Sequence, residues 1–547
     1  MSQRIAIIGA APSSSLTLTT APQTGICGLV SLKEVLAAGL EAVCFDAREG
    51  LGGAWAYQPV PGEDPAASSS IYLGTMLNSC RDTSAFSDFP FDPARYPDYF
   101  GHRQFVQYLR EYAAHFGLDK HVRLQTKVTQ CAPQDDGSWT VTATQRDGTQ
   151  TTEPYAAVIV AAGHLSAPRT PAIPGRDLFA GGSLHSHAYR APSRFEGKRV
   201  AVVGFGSSAV DIACEIAPHA ASLHLVTRRG GWVLPRYVLG KPTEAFDNRA
   251  TQLWLPVGLS QWLQTKLLAF VDGAAPAAMA PAHKILEQNP TIRGDFLEKV
   301  RTGLVQIARG DVVRMTAAGL VVRSTLPKDA KAKADAADEY ALDVDVVIFA
   351  TGYTLFDLPY LPPNTAHPAD DPDQVDLYKL ILPLHQRNLF LHGYADLLGP
   401  LPPAAEAQAR YTAALLAGRL PPPSADEKAR GIQAFRAYNR RHFVHSDRHV
   451  TTAHLIPYVD DLLAPLGAAP TFPKLLAQVF TSGHPLRALY VLSAVWFSIP
   501  SSAAWRLVGR GAKPDLAAAT VLRTAGEKPA LSEKEVGLLA KERVEQA

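Results

Sequence analysis

Cysteine is scarce. Five residues (Cys27, Cys44, Cys80, Cys131 and Cys214) are scattered over 547 positions, and no C-x-x-C occurs. That excludes a disulfide framework and a cysteine-type zinc site, and it removes the thiol pair that a disulfide reductase needs. Free thiols at this density suit a reducing, intracellular compartment. An excess of one charge is also missing: 53 Lys and Arg stand against 51 Asp and Glu. No basic footprint for nucleic acid follows, and none for an acidic partner. No nucleophile triad and no metal-ligand spacing is found, so no metal is expected. No charged and then apolar leader precedes the first strand-like run, Arg4–Ile8, and the chain reads as cytoplasmic. Long uncharged runs are few. Ala488–Trp505 carries no formal charge over 18 residues, the lower edge of spanning length, but Pro500 and several serines interrupt it. A buried helix or a peripheral membrane contact through 486–508 is expected there, rather than a span.

The chemistry begins at Lys198–Ala213, KRVAVVGFGSSAVDIA. Val200–Val203 reads as a buried parallel strand. Gly204-x-Gly206 follows at once, then Ser207, Ser208 and a helix-like run to Ile216. Such a turn brings backbone close to a pyrophosphate and aims helix N-terminal N–H groups at its charge. G-x-G alone is weak; between a strand and a helix it becomes a dinucleotide site. The next strand, Ser222–Val226, ends at Thr227-Arg228-Arg229, where no acid stands. Two guanidinium groups suit the 2′-phosphate of NADP better than a bare ribose; the competing reading is a solvated basic turn.

A second motif lies split at the N-terminus. Strand Ile5–Ile8 ends at Gly9-Ala10, and residues 11–24 then intervene before Gly25-Ile-Cys-Gly28. With 11–24 set aside, the chain reads G-x-G-x-x-G between strand and helix, and Asp46 stands 23 positions after Gly9, close to the ~20 expected of a ribose-binding acid. The inserted segment is rich in Ser, Thr, Ala and Pro and has no periodicity. It reads as loop, or as translated non-coding sequence. Its alternative is a genuine surface excursion that still closes the turn. Gly52-Gly53-Ala54-Trp55 follows, and paired glycines allow close backbone approach to a cofactor. Two further apolar strands end in glycine, Ala156–Gly163 and Ala341–Thr351-Gly352, and prolines 168, 171 and 174 mark a domain crossing. At roughly 100–200 residues per domain, the length predicts about three domains, or two large interleaved ones.

Taken together these residues resemble the flavin-containing monooxygenase family, over about 4–10 and 25–470. The most specific motif is Phe179-Ala-Gly181-Gly-Ser-Leu-His185-Ser-His-Ala-Tyr189, which matches the family fingerprint F-x-G-x-x-x-H-x-x-x-Y ahead of the second glycine turn. Baeyer–Villiger relatives usually carry Trp at the position of Tyr189. The stretch Asn78–Phe91, Gly52-Gly53-x-Trp55, Phe349–Tyr353 and Tyr458-Val-Asp-Asp also look like family elements. The resemblance implies an α/β fold of two Rossmann-like dinucleotide-binding domains, the FAD domain discontinuous in sequence: 1–165 (with 11–24 inserted), an NADPH domain at 166–329, a return at 330–470, and a partly apolar C-terminal extension at 471–547. It implies FAD along Gly9, Gly25, Gly28, Asp46, Gly53 and Trp55, with Thr351 and Gly352 nearby, and NADPH along Gly204, Gly206, Ser207, Ser208, Arg228 and Arg229. Asn78 aligns with the family's active-site asparagine; a turn-capping role is its alternative. The implied activity is oxygenation of a soft nucleophile, nitrogen or sulfur, on a small molecule by O₂ through a flavin C4a-hydroperoxide. The alternatives are a Baeyer–Villiger or N-hydroxylating monooxygenase, or a non-catalytic relative deprived of FAD by residues 11–24. Ser207, where Asn is commoner, and the expanded region 486–504 depart from the family pattern.

Overall fold

The computed structural model describes residues 4–10, 24–48, 50–59, 69–326, 338–368, 371, 374–446 and 448–526. Thirteen of the fourteen residues read as an insertion, 11–23, lie outside this set, and Thr24 lies inside it. Two sheets organise the chain, the first parallel and the second mixed. The first is built from β1 (Ile5–Ala10), β2 (Ala42–Asp46), β3 (Val122–Arg123), β7 (Ala157–Val160) and β15 (Leu389–Leu391), in the order β15-β7-β1-β2-β3. Helix α1 (Ile26–Ala37) follows β1, and α2 (His102–His115) stands before β3. An antiparallel three-stranded sheet, β4 (Thr126–Pro133), β5 (Trp139–Gln145) and β6 (Gln150–Tyr155), fills the connection between β3 and β7.

The second sheet runs β13-β12-β11-β10-β9-β14-β8. Its strands are β8 (Gly182–His185), β9 (Arg199–Val203), β10 (Ser222–Thr227), β11 (Gln306–Thr316), β12 (Gly319–Ser324), β13 (Glu339–Asp343) and β14 (Val346–Phe349). Helix α3 (Ser207–Ile216) follows β9. The chain therefore leaves the first sheet after β7, builds the second, and returns with β15. The return comes later than residue 330: β14 pairs in parallel with β9 and β8, so residues 339–349 complete the second sheet. A four-residue apolar strand is buried equally well in either sheet, and only its hydrogen-bonding neighbours tell them apart.

Alternation explains why the strands read as continuous apolar runs. Ile5 and Ile7 point into one core with α1, while Ala6 and Ile8 point into another with the three-stranded sheet. In the second sheet Val200 and Val202 face α3, and Ala201 faces the opposite core. A sheet covered on both faces has no solvent side to hold polar residues. Each buried Val or Ile contributes about 1.5–3 kcal/mol, so the two glycine turns sit on rigid supports.

Residues 471–526 are part of the body, not an appendage. Helices α7 (Phe472–Thr481) and α8 (Pro485–Phe497) form a core of their own with Ala503, Ala504, Leu507 and Val521. Trp505 packs into the core of the first sheet, and its indole N–H donates to Asp460 at 2.6 Å. The uncharged run breaks at Phe497, and among the described residues no helix is long and apolar enough to cross a membrane.

Candidate nucleotide cleft and the split glycine turn

The second turn opens onto a cleft of about 930 Å³. Gly204, Gly206, Ser207, Ser208, Arg228, Arg229, Thr351 and Gly352 all line it. Gly204 has φ 133°, and a Cβ there would overlap the Ala350 carbonyl oxygen. Glycine is therefore required, because β9 and β14 run side by side and their ends crowd each other. Gly206 is the N-cap of α3, and no side chain caps it. A Cβ on Gly206 would meet nothing within 4 Å, so the uncapped helix N-terminus faces open space. That is the arrangement of an anion seat. Arg228 and Arg229 are exposed, and Arg228 Nε lies 3.5 Å from Asp311. An ion pair this exposed and this long is weak, and an incoming phosphate can displace it.

The split turn is assembled on both sides of residues 11–23. Gly25 caps α1 without side-chain help. Thr24 pairs with the segment before Gly53: its N–H donates to Gly50 and its carbonyl accepts from Gly52, at 3.1 and 2.9 Å. A Cβ on Gly28 would lie 2.9 Å from the Thr24 methyl, and one on Gly9 would lie 3.1 Å from Asp46 Oδ2. Gly9, Thr24, Gly28 and Asp46 thus form one tight group, and a Cβ on Gly25 would sit 3.4 Å from the Gly53 Cα. Asp46 is fully buried, with Oδ1 accepting from the Arg48 N–H at 3.1 Å. Trp55 is half-buried, edge-on to Phe105 with ring centroids 4.7 Å apart. None of these first-turn residues lines the cleft at Gly204.

Asn78 is exposed and does not line the cleft. Its loop is nevertheless held firmly: the Leu77 N–H donates to Phe100, and the Cys80 N–H donates to Glu244 Oε1 at 2.7 Å. Glu244 also accepts from the Tyr99 hydroxyl at 2.9 Å, and burial raises its carboxyl above the usual range. No spacing in the sequence announces this contact, which spans 164 positions.

The fingerprint segment turns out to be a set of links. His185 Nε2 pairs with the Gly352 carbonyl at 3.0 Å, and its Nδ1 accepts from the His187 N–H at 3.1 Å. Burial lowers its pKa to about 4, so the ring is neutral and Nε2 is the donor. Tyr189 is buried and donates to Glu215 on α3 at 2.8 Å. One end of the motif thus holds the Thr351-Gly352 turn and the other holds helix α3. Arg169, Arg448 and His164 also line the cleft. The Arg448 guanidinium donates to the Thr351 carbonyl; its distance from the glycine motifs in sequence hid it.

The family model for flavin-binding monooxygenase-like proteins matches residues 20–532. Flavin-containing monooxygenase 5 of Homo sapiens is 32% identical over 482 residues, covering 86% of this chain and 85% of that protein. Among solved structures, S-allyl-L-cysteine S-oxygenase from Allium sativum aligns with a TM-score of 0.60 at 22% identity, over 88% of this chain and 93% of that one. An open structure of cyclohexanone monooxygenase aligns with a TM-score of 0.57 at 18% identity, over 84% of this chain and 96% of that one. The two-sheet α/β architecture, the glycine turns on each sheet and the match across nearly the whole length agree: this chain belongs to the flavin-binding monooxygenase-like family.

Proposed function

We propose that the protein is an FAD- and NADPH-dependent monooxygenase that adds one oxygen atom of O₂ to a nitrogen or sulfur of a small molecule. The observation that carries this reading is the cleft that the uncapped α3 N-terminus, the Arg228–Arg229 pair and the Thr351-Gly352 turn line together. In this reading Gly204, Gly206, Ser207 and Ser208 bind the NADPH pyrophosphate, and Arg228 and Arg229 bind its 2′-phosphate. Gly9, Gly25, Gly28 and Asp46 hold the FAD pyrophosphate and ribose, while Gly53 and Trp55 bound its far side. What supports this assignment is a second helix N-terminus, at Gly25, that no side chain caps.

Bound FAD, reduced by NADPH, supplies the oxygen chemistry; the chain supplies binding, orientation and exclusion of water. Asn78 serves as a non-titrating amide that can donate and accept near the reacting oxygen. His185 holds the Thr351-Gly352 turn and takes no proton, since its ring stays neutral down to about pH 4. Tyr189 and Glu215 act as positioning residues for α3.

The test is direct. The purified protein should be yellow, oxidise NADPH in preference to NADH, and convert tertiary amines or thioethers to oxides. Esters formed from ketones would favour the Baeyer–Villiger alternative, and a colourless protein that fails to take up FAD would sink both. Asn78→Ala should lower oxygenation by about 10²–10³, the usual cost of one preorganised donor, while NADPH still reduces the flavin. Equal loss of both half-reactions would deny Asn78 its role.

A second reading concerns location. Half of the 486–508 run is buried, yet Leu486, Leu489, Tyr490 and Phe497 of α8 are 48–72% exposed. Helix α8 packs on α4 (Arg249–Leu253), and α4 on α5 (Val257–Asp272), whose Trp262 and Phe270 are 55% and 81% exposed. An apolar face of this breadth fits peripheral contact with a lipid surface. Cosedimentation with neutral phosphatidylcholine vesicles should fall when Trp262, Phe270 and Leu486 are changed to Ser; unchanged partition would reject the contact.

A further inference from the structure

A second cavity, about 500 Å³, opens at the far end of α1 and shares no lining residue with the nucleotide cleft. It is bounded by Leu36–Ala38, by helix α6 (Leu401–Leu416) and by the turn 506–513. Six cations line it: Lys33, Arg410, Arg419, Arg506, Arg510 and Lys513. Two carboxylates, Glu34 and Asp88, are in the same wall, and Glu406 lies just behind.

The charges do not balance. Lys33 bonds Glu34 and Asp88 at 2.8 and 2.5 Å. Arg506 reaches Glu34 at 2.6 Å, Asp88 at 3.3 Å and Glu406, and Lys513 stands 3.8 Å from Asp88. Three cations thus neutralise three carboxylates. These are also the three carboxylates close enough together to suggest a metal, but the cations among them already fill that role.

Arg410, Arg419 and Arg510 remain, and none of them makes an ion pair among the described residues. Arg410 is buried, and its guanidinium donates only to the carbonyls of Trp505 and Arg510, at 3.0 and 2.9 Å. Burial first, and the neighbouring Arg506 second, push its pKa down to about 10, against the opposing pull of Glu34, Glu406 and Asp88, which Lys33, Arg506 and Lys513 already pair. Arg419 donates to the Ala38 carbonyl at 2.9 Å and is otherwise exposed, as is Arg510. A buried guanidinium with no carboxylate in direct contact is costly unless a further counter-charge reaches it.

We propose that this cavity binds a small phosphate-bearing anion, seated between Arg410, Arg419 and Arg510. Guanidinium forks match phosphate oxygens in pairs, whereas a point charge does not, and the volume falls within the range of small-ligand sites. The anion supplies the negative charge that the three surplus arginines lack and ties the turn 506–513 to α6 and the end of α1.

The test uses the whole flavoprotein and sodium pyrophosphate at constant ionic strength. Binding is followed by calorimetry and by thermal unfolding, because a ligand that binds only the folded state raises Tm. The nucleotide cleft is controlled with the Arg228→Ala/Arg229→Ala variant, in which the response should persist. Arg419→Ala/Arg510→Ala, two exposed changes that leave the core intact, should bind pyrophosphate at least about tenfold more weakly. Retention on phosphatidate vesicles with no response to pyrophosphate would keep the phosphate group and assign it to a lipid headgroup. Failure of both probes, a chloride response equal to that of pyrophosphate, or full binding by the double variant would overturn the proposal.

Discussion

The two glycine turns are built on the same plan and differ in how much of the chain each one needs. At Gly204 the strand, turn and helix are contiguous over Arg199–Ile216, and the crowding neighbour is Ala350 at the end of β14. At Gly9 the strand and helix are separated by residues 11–24, yet Gly9, Thr24, Gly28 and Asp46 still meet. The contrast teaches that a helix N-terminus can be docked on a strand end by tertiary packing rather than by a short connection. Ile26, Leu29 and Leu32 bury α1 in the core that also holds Ile5 and Ile7. Lengthening a connection adds little closure entropy, about 0.6 kcal/mol per doubling. The packing of α1 outweighs that many times over.

The comparison breaks hardest at Gly204. Gly204→Ala demands a left-handed φ from alanine and a shift of the Ala350 carbonyl, a cost of at least about 1–3 kcal/mol. Thermal unfolding should show that loss together with nearly complete loss of NADPH oxidation. Next in size, Arg228→Ala/Arg229→Ala should raise the KM for NADPH roughly tenfold or more while kcat and NADH turnover hold, since each charge-assisted bond is worth about 1.5–3 kcal/mol. Steady-state kinetics with both nucleotides checks this. Deletion of 11–24 joins Ala10 to Gly25 and restores an unbroken G-x-G-x-x-G. Its flavin content, read from absorbance, should equal or exceed that of the full chain. A fall would mean that the Thr24 pairing with Gly50 and Gly52 is needed to seat α1.

The smallest effect is one of pH. His185 has its pKa lowered from 6.5 to about 4, chiefly by burial. The folded state therefore favours the neutral ring. That stability is present above pH 6.5 and is lost as pH falls toward 4. Thermal unfolding of His185→Gln should depend less steeply on pH across that window than the parent does. His454, similarly buried and also near 4, leaves a residual slope in both proteins.

Much of the site was legible because it rests on local patterns. Strand-glycine-helix at 200–216 and the paired arginines after β10 need only neighbours in sequence. Both fell on the cleft. Asn78 shows the limit: its alignment names a residue, but its exposure is decided by what covers the loop. The contact that holds it, from the Cys80 N–H to Glu244, spans 164 positions. The fingerprint was found as letters, and its work was not. His185 and Tyr189 act through Gly352 and Glu215, partners that no spacing rule connects.

By itself the sequence determined the fold class, the two strand–glycine–helix turns and the family, because apolar runs, glycines and the fingerprint encode local geometry directly. Tertiary structure alone decided three things. It assigned Val346–Phe349 to the second sheet through pairing with β9 and β8. It folded the uncharged 488–505 run half into the core. It also gathered arginines 410, 419 and 510 around one cavity. Hydrogen-bond partnership, burial and charge balance are properties of what lies alongside, and residues distant in the chain become neighbours only when the sheets close.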